Sequence, residues 1–181
     1  MRKLITRRLL GRFSKRYGYD AAYMESMLDD APSAFFKFAL IMAVASHRAV
    51  TPPEAYYAAK LVAAIAEDCG PCTQLVVNMA REAGVASDQI KAVLTQRVGE
   101  MSNATSIGFR FGRGLCDRSG DLDEVRERVR AEWGDPAVIE LSLCVAIGRV
   151  FPMTKTGMGF AKACTQVEVS GKPVDVLHLA V

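Results

Sequence analysis

The sequence predicts an all-α fold, a helical bundle that ends in a short extended C-terminal tail. Helix start and stop signals recur along the chain, and no stretch before residue 166 alternates apolar and polar residues as a half-buried strand does. The chain has 181 residues, 50% hydrophobic and 24% charged, which suffices for one domain with a full core and excludes disordered, collagen-like and coiled-coil classes. We expect a single domain over residues 17–181, preceded by a basic arm over residues 1–16.

The arm holds seven of the 23 basic residues and none of the 20 acidic ones, so the rest of the chain is net negative. It lacks the continuous apolar stretch and small-residue cleavage site of a secretory signal. We favour a packing or oligomer-contact role. A mitochondrial presequence, or contact with nucleic acid or an anionic membrane, are the alternatives.

Two features bear on the compartment. The longest mostly apolar run, residues 34–46, contains Lys37 and is shorter than the roughly 20 residues that span a bilayer, so we expect no membrane segment. Five cysteines are an odd number in a chain large enough to fold without disulfides, which indicates a reducing compartment. We therefore expect a cytoplasmic protein.

The first helices follow from proline and capping signals. Residues 20–30 form a candidate helix that Pro32 stops. Ser33 can cap the next helix, which runs to about residue 48 with apolar residues on most faces. A helix that is apolar nearly all round is buried, so we expect this one in the core.

The next two helices lead into a pair of cysteines. Thr51-Pro52-Pro53-Glu54 combines a threonine cap, a proline at the first position and a glutamate three residues after the cap, and this helix should run to about residue 67. Asp68 can cap the following helix over residues 69–82, which Gly84 closes.

Further capping residues recur downstream. Ser87 and the pair Asp121 and Glu124 can each start a helix, and Asp135-Pro136 opens the last one. These signals predict helices over residues 87–97, 100–115, 121–133 and 135–152.

The C-terminal tail, from residue 166 onward, has a different sequence pattern from the helices before it. Val167 and Val169 alternate with polar residues, and residues 170–173, Ser-Gly-Lys-Pro, form a turn signal. We predict an extended hairpin or docking tail.

Cys69 and Cys72 carry the clearest chemistry. Two cysteines three apart at the first turn of a helix can close a small disulfide ring, and the unpaired N–H groups and macrodipole of the helix start favour a thiolate there. Such a thiolate attacks a peroxide or disulfide, and the second thiol resolves the product. Gly70 removes side-chain obstruction, and Pro71 stiffens the first turn.

Two other interpretations of this pair stay open. Half a zinc site has the same spacing, but a second cysteine pair is missing and only His47 and His178 could assist. The thiols could also fill the core, although Gly-Pro between them is unusual in a packed helix. The remaining cysteines are interpreted as buried small apolar residues; they are Cys116, Cys144 and Cys164.

The segment over residues 60–84, KLVAAIAEDCGPCTQLVVNMAREAG, has a wider pattern. Its Cys-Gly-Pro-Cys tetrapeptide is that of thioredoxin, but a long helix precedes it where thioredoxin has a strand. An apolar helix before Cys-x-x-Cys, and a second helix ending in Ala-x-x-x-Gly, resemble the carboxymuconolactone decarboxylase / AhpD-like alkylhydroperoxidase superfamily. Residues 107–111 and 133–141 agree, so the resemblance covers roughly residues 33–165.

The resemblance implies an AhpD-like all-helical homo-oligomer, a trimer or hexamer, whose cysteine pair reduces hydroperoxides or exchanges disulfides. It implies that Cys72 is peroxidatic and Cys69 resolving, whereas helix-start physics alone favours Cys69 as the more acidic thiol. It requires no bound metal or organic cofactor. It implies an external dithiol reductant, a lipoyl- or thioredoxin-type partner.

The sequence departs from the family's Glu–His proton relay, because Tyr57 and Val76 stand at those positions. Glu67 is the candidate substitute that shuttles a proton directly or through water, and its alternative is a solvated acid at a helix end. Tyr57 and Asn78 could be pocket polar groups or structural ones. Glu67 and Asp68 would raise a neighbouring thiol pKa, opposing the helix dipole.

Other polar residues give weaker signals. His47 ends a helix, where a cation suits the dipole, and His178 lies in the tail. The basic and aromatic run over residues 108–114 matches no nucleic-acid module, and the net negative domain opposes such a partner, so we place Arg110 and Arg113 on a solvent or oligomer face.

The predicted function is a thiol-dependent oxidoreductase, either an alkylhydroperoxidase of peroxiredoxin-like activity or a thiol–disulfide exchange enzyme. We expect neither a nucleic-acid nor a membrane partner. A non-enzymatic redox sensor or interaction protein on the same scaffold is the alternative. A decarboxylase-type lyase is less favoured, since such members generally lack the cysteine pair. A pocket beside Cys72 would favour the enzyme, and a flush thiol pair the sensor.

Overall fold

The computed structural model describes residues 2–117, 121–163 and 165–177. Over these residues it contains eight α-helices, a 3-10 helix at Val98–Glu100 and one antiparallel two-stranded sheet, which confirms the predicted all-α class. The elements are α1 (Arg2–Tyr17), α2 (Ala22–Asp30), α3 (Pro32–Ala45), α4 (Pro53–Ala66), α5 (Gly70–Glu82), α6 (Ser87–Leu94), α7 (Asn103–Asp117), α8 (Leu122–Gly157), β1 (Gln166–Val169) and β2 (Lys172–Asp175).

Helix α4 is the centre of the bundle and is buried along most of its length, packed on α5, α7 and α8. Its many alanines let the glycines of α7 come close. A Cβ on Gly108 would lie 2.0 Å from the carbonyl oxygen of Ala55, and one on Gly112 would lie 3.1 Å from the Cα of Ala59. The helix that leads into the cysteine pair is therefore held by close backbone packing.

Helix α3 corrects two predictions. Its N-cap is Ala31, with Pro32 at the first position, so Ser33 is not the cap. Only Phe35 and Ala45 are buried, and the side chain of Leu40 is 71% exposed. Composition around a helix does not say which neighbours cover it, and α3 packs mainly on α2 and α8, which leaves part of its apolar surface exposed.

The start of α4 is held differently from the prediction. Thr51 is not the N-cap, which is Pro52. The Thr51 hydroxyl instead donates a hydrogen bond of 2.7 Å to the buried carboxylate of Glu140 on α8. That carboxylate also accepts backbone N–H bonds from residues 49–51, so it fixes the loop before α4. Ser87 and Asp121 likewise make no side-chain cap.

Helix α8 joins the last two predicted helices. The chain breaks at Gly134, where φ is +82°, and Pro136 lies in the first turn of the second half, as the Asp-Pro signal predicts. The predicted end near Pro152 is wrong, since the helix continues to Gly157. A proline removes one backbone hydrogen bond, and Pro152 is buried, so its packing offsets that loss.

By length and composition alone, α8 is the one described helix that could cross a membrane. From the sequence we considered only the shorter apolar run over residues 34–46 and did not predict this candidate. Of its apolar window, 33% is buried inside the chain. Its inner face includes Leu141, Cys144 and Val145 and packs on α4 and α7. The inner face of this helix therefore belongs to the core of the bundle.

The C-terminal hairpin confirms the prediction for the tail. Val169 pairs with Lys172 across Ser170 and Gly171, which both have positive φ, as a two-residue hairpin turn requires. Val167 and Val169 are buried against α5 and α6. Gln74 of α5 hydrogen-bonds both backbone groups of Glu168, so the hairpin docks on the helix that carries Cys72.

The N-terminal basic residues form α1, which packs on α2 and α5. Leu10 is buried, Arg7 pairs with Asp29, and Arg16 pairs with Glu82. These contacts favour the packing interpretation of the basic arm.

Candidate functional site

Cys69 and Cys72 lie at the start of α5 and are joined as a disulfide, with Cα atoms 5.2 Å apart, a usual separation. Cys69 is the N-cap of α5, so the prediction that Asp68 caps this helix is wrong. Asp68 instead occupies the left-handed region with φ +46°, where it turns the chain from α4 into α5. This turn places both sulfurs at the helix start.

The two sulfurs differ in their surroundings. Cys69 is 0% exposed and Cys72 5%. The N–H of Gly70 donates to the carbonyl of Lys162 at 3.0 Å, so the segment after α8 covers the helix start. The carbonyl of Cys69 accepts bonds from both the N–H and the hydroxyl of Thr73. Cys69 is therefore enclosed by the protein.

A cavity of about 400 Å³ lies beside Cys72. Cys72 is part of its wall, whereas Cys69 is not. Most of the wall is aromatic or aliphatic, and it draws on helices α1 to α5 and α8. The thiol pair is therefore not flush with the surface, and one of its sulfurs faces a space of the size that small organic ligands fill.

Tyr19 contacts the sulfur in this wall. Its hydroxyl lies 3.9 Å from Sγ of Cys72, and because a disulfide sulfur has no proton, the hydroxyl is the donor. Tyr19 is 5% exposed, and burial raises its pKa to about 12, so it stays protonated at neutral pH. It is a hydrogen-bond donor held against Cys72.

Lys155 lies behind this tyrosine. Its ammonium is 4.7 Å from the ring centroid of Tyr19 and 5.6 Å from that of Tyr23, and it donates to the carbonyl of Asp20 at 3.2 Å. Lys155 is 1% exposed, and burial lowers its pKa. The buried hydroxyl of Tyr23 has no hydrogen-bond partner of normal geometry among the described residues. Tyr19 is thus positioned by packing and by a buried cation.

The two positions where the family's relay would stand, Tyr57 and Val76, both line the cavity. Burial raises the pKa of the Tyr57 phenol. Tyr57 is therefore a pocket residue. Asn78 donates to the carbonyl of Tyr17 at 2.8 Å and is not among the lining residues, so its role is structural.

Glu67 faces away from the cavity. Its carboxylate forms an ion pair with Arg149 of α8, and it is not among the residues that line the space beside Cys72. The structure therefore does not bring Glu67 together with the reacting side of Cys72. Its proton-shuttle role stays a prediction.

Two cations line the same cavity. The Lys60 ammonium donates to the carbonyl of Ala45 at 2.6 Å and lies 5.1 Å from the ring centroid of Tyr56. Arg48 donates to the carbonyl of Thr51 at 3.0 Å. Burial lowers the pKa of Lys60. Neither cation forms an ion pair with a carboxylate of the described chain.

The other cysteines differ from this pair. Cys144 is buried, its thiol donates to the carbonyl of Tyr56 at 3.6 Å, and Cys116 is half-buried. Burial raises the pKa of each to about 11, so both are protonated and unreactive at neutral pH. The burial predicted for Cys144 is confirmed. Cys164 and His178 lie outside the described residues.

The remaining polar candidates are peripheral. His47 is exposed, with Nε2 4.0 Å from Oε1 of Glu140. No group of three or more histidine, cysteine, aspartate or glutamate side chains gathers within the described residues. Arg110 is exposed and Arg113 pairs with Asp117 at 3.1 Å, as expected for a solvent face.

Sequence reasoning missed four residues of this site, Tyr19, Lys155, Lys60 and Arg48. Lys60 has a signal, since it is the only charged residue between positions 55 and 66 of an otherwise apolar, alanine-rich helix. Tyr19 and Lys155 have none, because they are far from the cysteines in sequence and only folding brings them there.

Residues 41–99 match the model of the Carboxymuconolactone decarboxylase family. This segment, about a third of the chain, is similar to that family. It begins within α3 and includes α4, the cysteine pair, α5 and α6. No curated protein and no solved structure matches the chain significantly. The resemblance is thus confirmed over residues 41–99.

The Carboxymuconolactone decarboxylase segment contains only part of the cavity wall. It supplies Cys72, Lys60 and Arg48, but not Tyr19. We call the remaining cavity residues the outer wall; they are Phe13, Tyr17, Tyr19, Tyr23, Met24, Gly148, Phe151 and Pro152.

Proposed function

We propose that the protein is a thiol-dependent oxidoreductase that reduces an organic hydroperoxide at Cys72 and uses Cys69 as the resolving thiol. The cavity of about 400 Å³ with Cys72, and not Cys69, in its wall carries the proposal. A nucleophile must reach its substrate, and the described structure gives only Cys72 such a space. This supports the family's assignment of the two thiols over the one from helix-start electrostatics alone.

The proposed cycle balances as follows. The Cys72 thiolate attacks the terminal oxygen of the hydroperoxide ROOH, the O–O bond breaks, and Cys72 becomes a sulfenic acid while an alkoxide leaves. The alkoxide takes a proton and departs as the alcohol ROH. The Cys69 thiol then attacks the sulfenic sulfur, water leaves and the disulfide forms. A dithiol donor reduces the disulfide and is itself oxidised to a disulfide.

Tyr19 is the proposed proton donor in this cycle. A phenol that donates to the Cys72 sulfur stabilises the thiolate. The same phenol can pass its proton to the leaving alkoxide, which is the stronger base, and regain the proton lost by the Cys72 thiol. It would thereby take the place of the Glu–His relay, whose positions Tyr57 and Val76 occupy.

The enclosure of the disulfide bears on the reductant. Cys69 is fully buried and Cys72 is nearly so, and Cys72 lines the cavity, so we infer that a donor inserts its thiol into that space. A slender lipoyl-type dithiol fits this access better than a folded thioredoxin-type protein. A dithiol-dependent cycle suits a reducing compartment such as the cytoplasm.

We also propose that the protein assembles into the homo-oligomer that the family resemblance implies. Large apolar side chains are exposed on α3 and on the second half of α8, among them Leu40, Val44, Ile139 and Met153. Such faces are typical of subunit contacts. Light scattering on the purified protein tests this proposal, and a monomer at micromolar concentration would contradict it.

The redox proposal is tested by mapping thiols after fully reduced protein meets one equivalent of cumene hydroperoxide. We expect a Cys69–Cys72 disulfide within seconds, with Cys116 and Cys144 still free. Repeated turnover with dihydrolipoamide would then distinguish an enzyme from a sensor that oxidises once. Thiols that stay reduced for minutes would overturn the peroxidase function.

A further inference from the structure

The charges around the cavity are unbalanced. Lys60 and Arg48 both line it, and no acidic residue of the described chain does. The protein partners of both cations are backbone carbonyls, those of Ala45 and Thr51. The cavity therefore has positive charge that the described chain does not neutralise.

Lys60 has unused bonding capacity. An ammonium has three donors, and one of them bonds the carbonyl of Ala45. The ring centroid of Tyr56 lies 5.1 Å from the Lys60 ammonium, and burial lowers the pKa of Lys60. Because a half-buried ammonium without an anion is costly, an anionic ligand group would relieve a cost already present in the fold.

The rest of the cavity suits an apolar body. Its lining includes Phe13, Leu75, Met79 and Phe151, and its volume of about 400 Å³ is in the range that small organic ligands fill. Hydrogen peroxide would leave most of this space empty. A ligand with both a charged end and a hydrocarbon part matches both kinds of wall.

The cation and the sulfur are arranged along one helix hairpin. Lys60 lies one turn, about 6 Å, before Ala64 on α4, and Ala64 lines the cavity at the end of α4 that leads to the cysteines. A ligand whose carboxylate lies on Lys60 can extend along this end of the cavity, whose wall also includes Cys72.

We propose that the cavity binds amphipathic organic carboxylates, with the carboxylate on Lys60 and Arg48 and the hydrocarbon against the aromatic wall. Its substrates are then carboxylate-bearing hydroperoxides, and the product of each is the corresponding hydroxy acid. That these hydroperoxides are substrates rests on the proposed peroxidase function, whereas the binding of carboxylates in the cavity does not.

Carboxylate binding is tested by calorimetric titration of the disulfide form with octanoate, which cannot react. Octan-1-ol has the same chain without the charge. We expect octanoate to bind at least about 10-fold more tightly than octan-1-ol. Equal affinity for the two ligands would overturn the subsite.

Variants of Lys60 test whether its charge binds the carboxylate. Lys60→Met should weaken octanoate binding by about 10-fold and leave octan-1-ol binding unchanged, while Lys60→Arg should keep octanoate binding. Lys37 is an exposed lysine of α3, so Lys37→Met is the matched control and should change the binding of neither ligand. Undiminished octanoate binding by a folded Lys60→Met protein would overturn the assignment. Should Lys60→Met not fold, Arg48→Met provides the same comparison.

Kinetics separate this proposal from the proposed function. A fatty-acid hydroperoxide should have a lower KM than cumene hydroperoxide. Lys60→Met should raise the KM for the fatty-acid hydroperoxide and leave the KM for cumene hydroperoxide unchanged. Octanoate binding without reduction of any hydroperoxide would keep the subsite and refute the peroxidase. Reduction of both hydroperoxides with equal KM and no preference for octanoate would refute the subsite and keep the peroxidase.

Discussion

Two parts of the chain face each other across the cavity. The family segment, residues 41–99, supplies the cysteine pair and the two unpaired cations, and the outer wall supplies the phenol that touches Cys72. The first part is continuous in sequence. The second comes from α1, the loop before α2, α2 itself and the end of α8, more than 100 residues apart.

The difference shows how the nucleophile and its surroundings are separated in the chain. The cysteines and the helices that hold them are encoded locally, whereas Tyr19, the proposed proton donor, is brought to them by tertiary packing. Positions 57 and 76, which face the cavity from the family segment, have no carboxylate or imidazole. Among the phenols of the cavity wall, Tyr19 is the one whose hydroxyl contacts the Cys72 sulfur, and it comes from outside the family segment.

The largest expected effect is on the family segment. Cys72→Ser should lower hydroperoxide reduction by about 10³-fold or more, because it removes the nucleophile. The measurement is steady-state turnover of cumene hydroperoxide with dihydrolipoamide.

Cys69→Ser is its matched control. It should leave the first oxidation intact and allow a sulfenic acid to accumulate on Cys72, which a dimedone adduct would report. A dimedone adduct on Cys69 in the Cys72→Ser protein would reverse the assignment of the two thiols.

The next effect concerns the outer wall. Tyr19→Phe should lower kcat/KM for the hydroperoxide by about 10²-fold, because the alkoxide loses its proton donor. Losing the hydrogen bond also destabilises the Cys72 thiolate, so the acidic limb of the pH profile moves to higher pH. Tyr17→Phe is the control, since that cavity phenol bonds Glu82 instead. Identical pH profiles for the two variants would remove Tyr19 from the mechanism.

The contact between the family segment and α7 should affect stability. Gly108→Ala places a Cβ 2.0 Å from the Ala55 carbonyl oxygen and should reduce the free energy of unfolding by about 2 kcal/mol. Gly11→Ala on α1 meets no atom within 4 Å and should be neutral or stabilise by up to about 1 kcal/mol. Urea unfolding measures both, and equal effects would contradict the close packing of α4 on α7.

The last effect is destabilisation that is confined to alkaline pH. Burial raises the pKa of Tyr19 from 10.0 to about 12. Its contribution is complete below about pH 10. Between about pH 10 and 12 the unfolded chain loses this proton while the folded chain keeps it, so stability falls by up to about 1.4 kcal/mol per pH unit. Tyr19→Phe should reduce this slope in denaturant titrations, and an unchanged slope would mean that the phenol is not buried.

Local signals predicted the helices better than their ends. The Gly84 stop, the Asp-Pro start of the last helical half and the Ser-Gly hairpin turn are confirmed because each depends on the backbone of one or two residues. The caps at Ser33, Thr51 and Asp68 are wrong. A capping side chain can bond elsewhere in the fold, as Thr51 does with Glu140.

Of the candidate site, only the cysteine pair was predicted from the sequence. Cys69 and Cys72 are three residues apart, so their pairing is local. Lys60 could have been found as the lone charge in a buried helix. Tyr19 lies 53 residues before Cys72, and Lys155 lies 135 residues after Asp20, so no local pattern relates them.

The sequence by itself determined the helical class, the cysteine pair at a helix start and the hairpin, since periodicity, proline, glycine and short spacings act over a few residues. Tertiary structure decided which sulfur faces the cavity, which phenol touches it, which cations stay without an acid and which face of α3 is exposed. These properties depend on the packing of distant helices, where burial and charge are set jointly by residues that the chain order does not bring together.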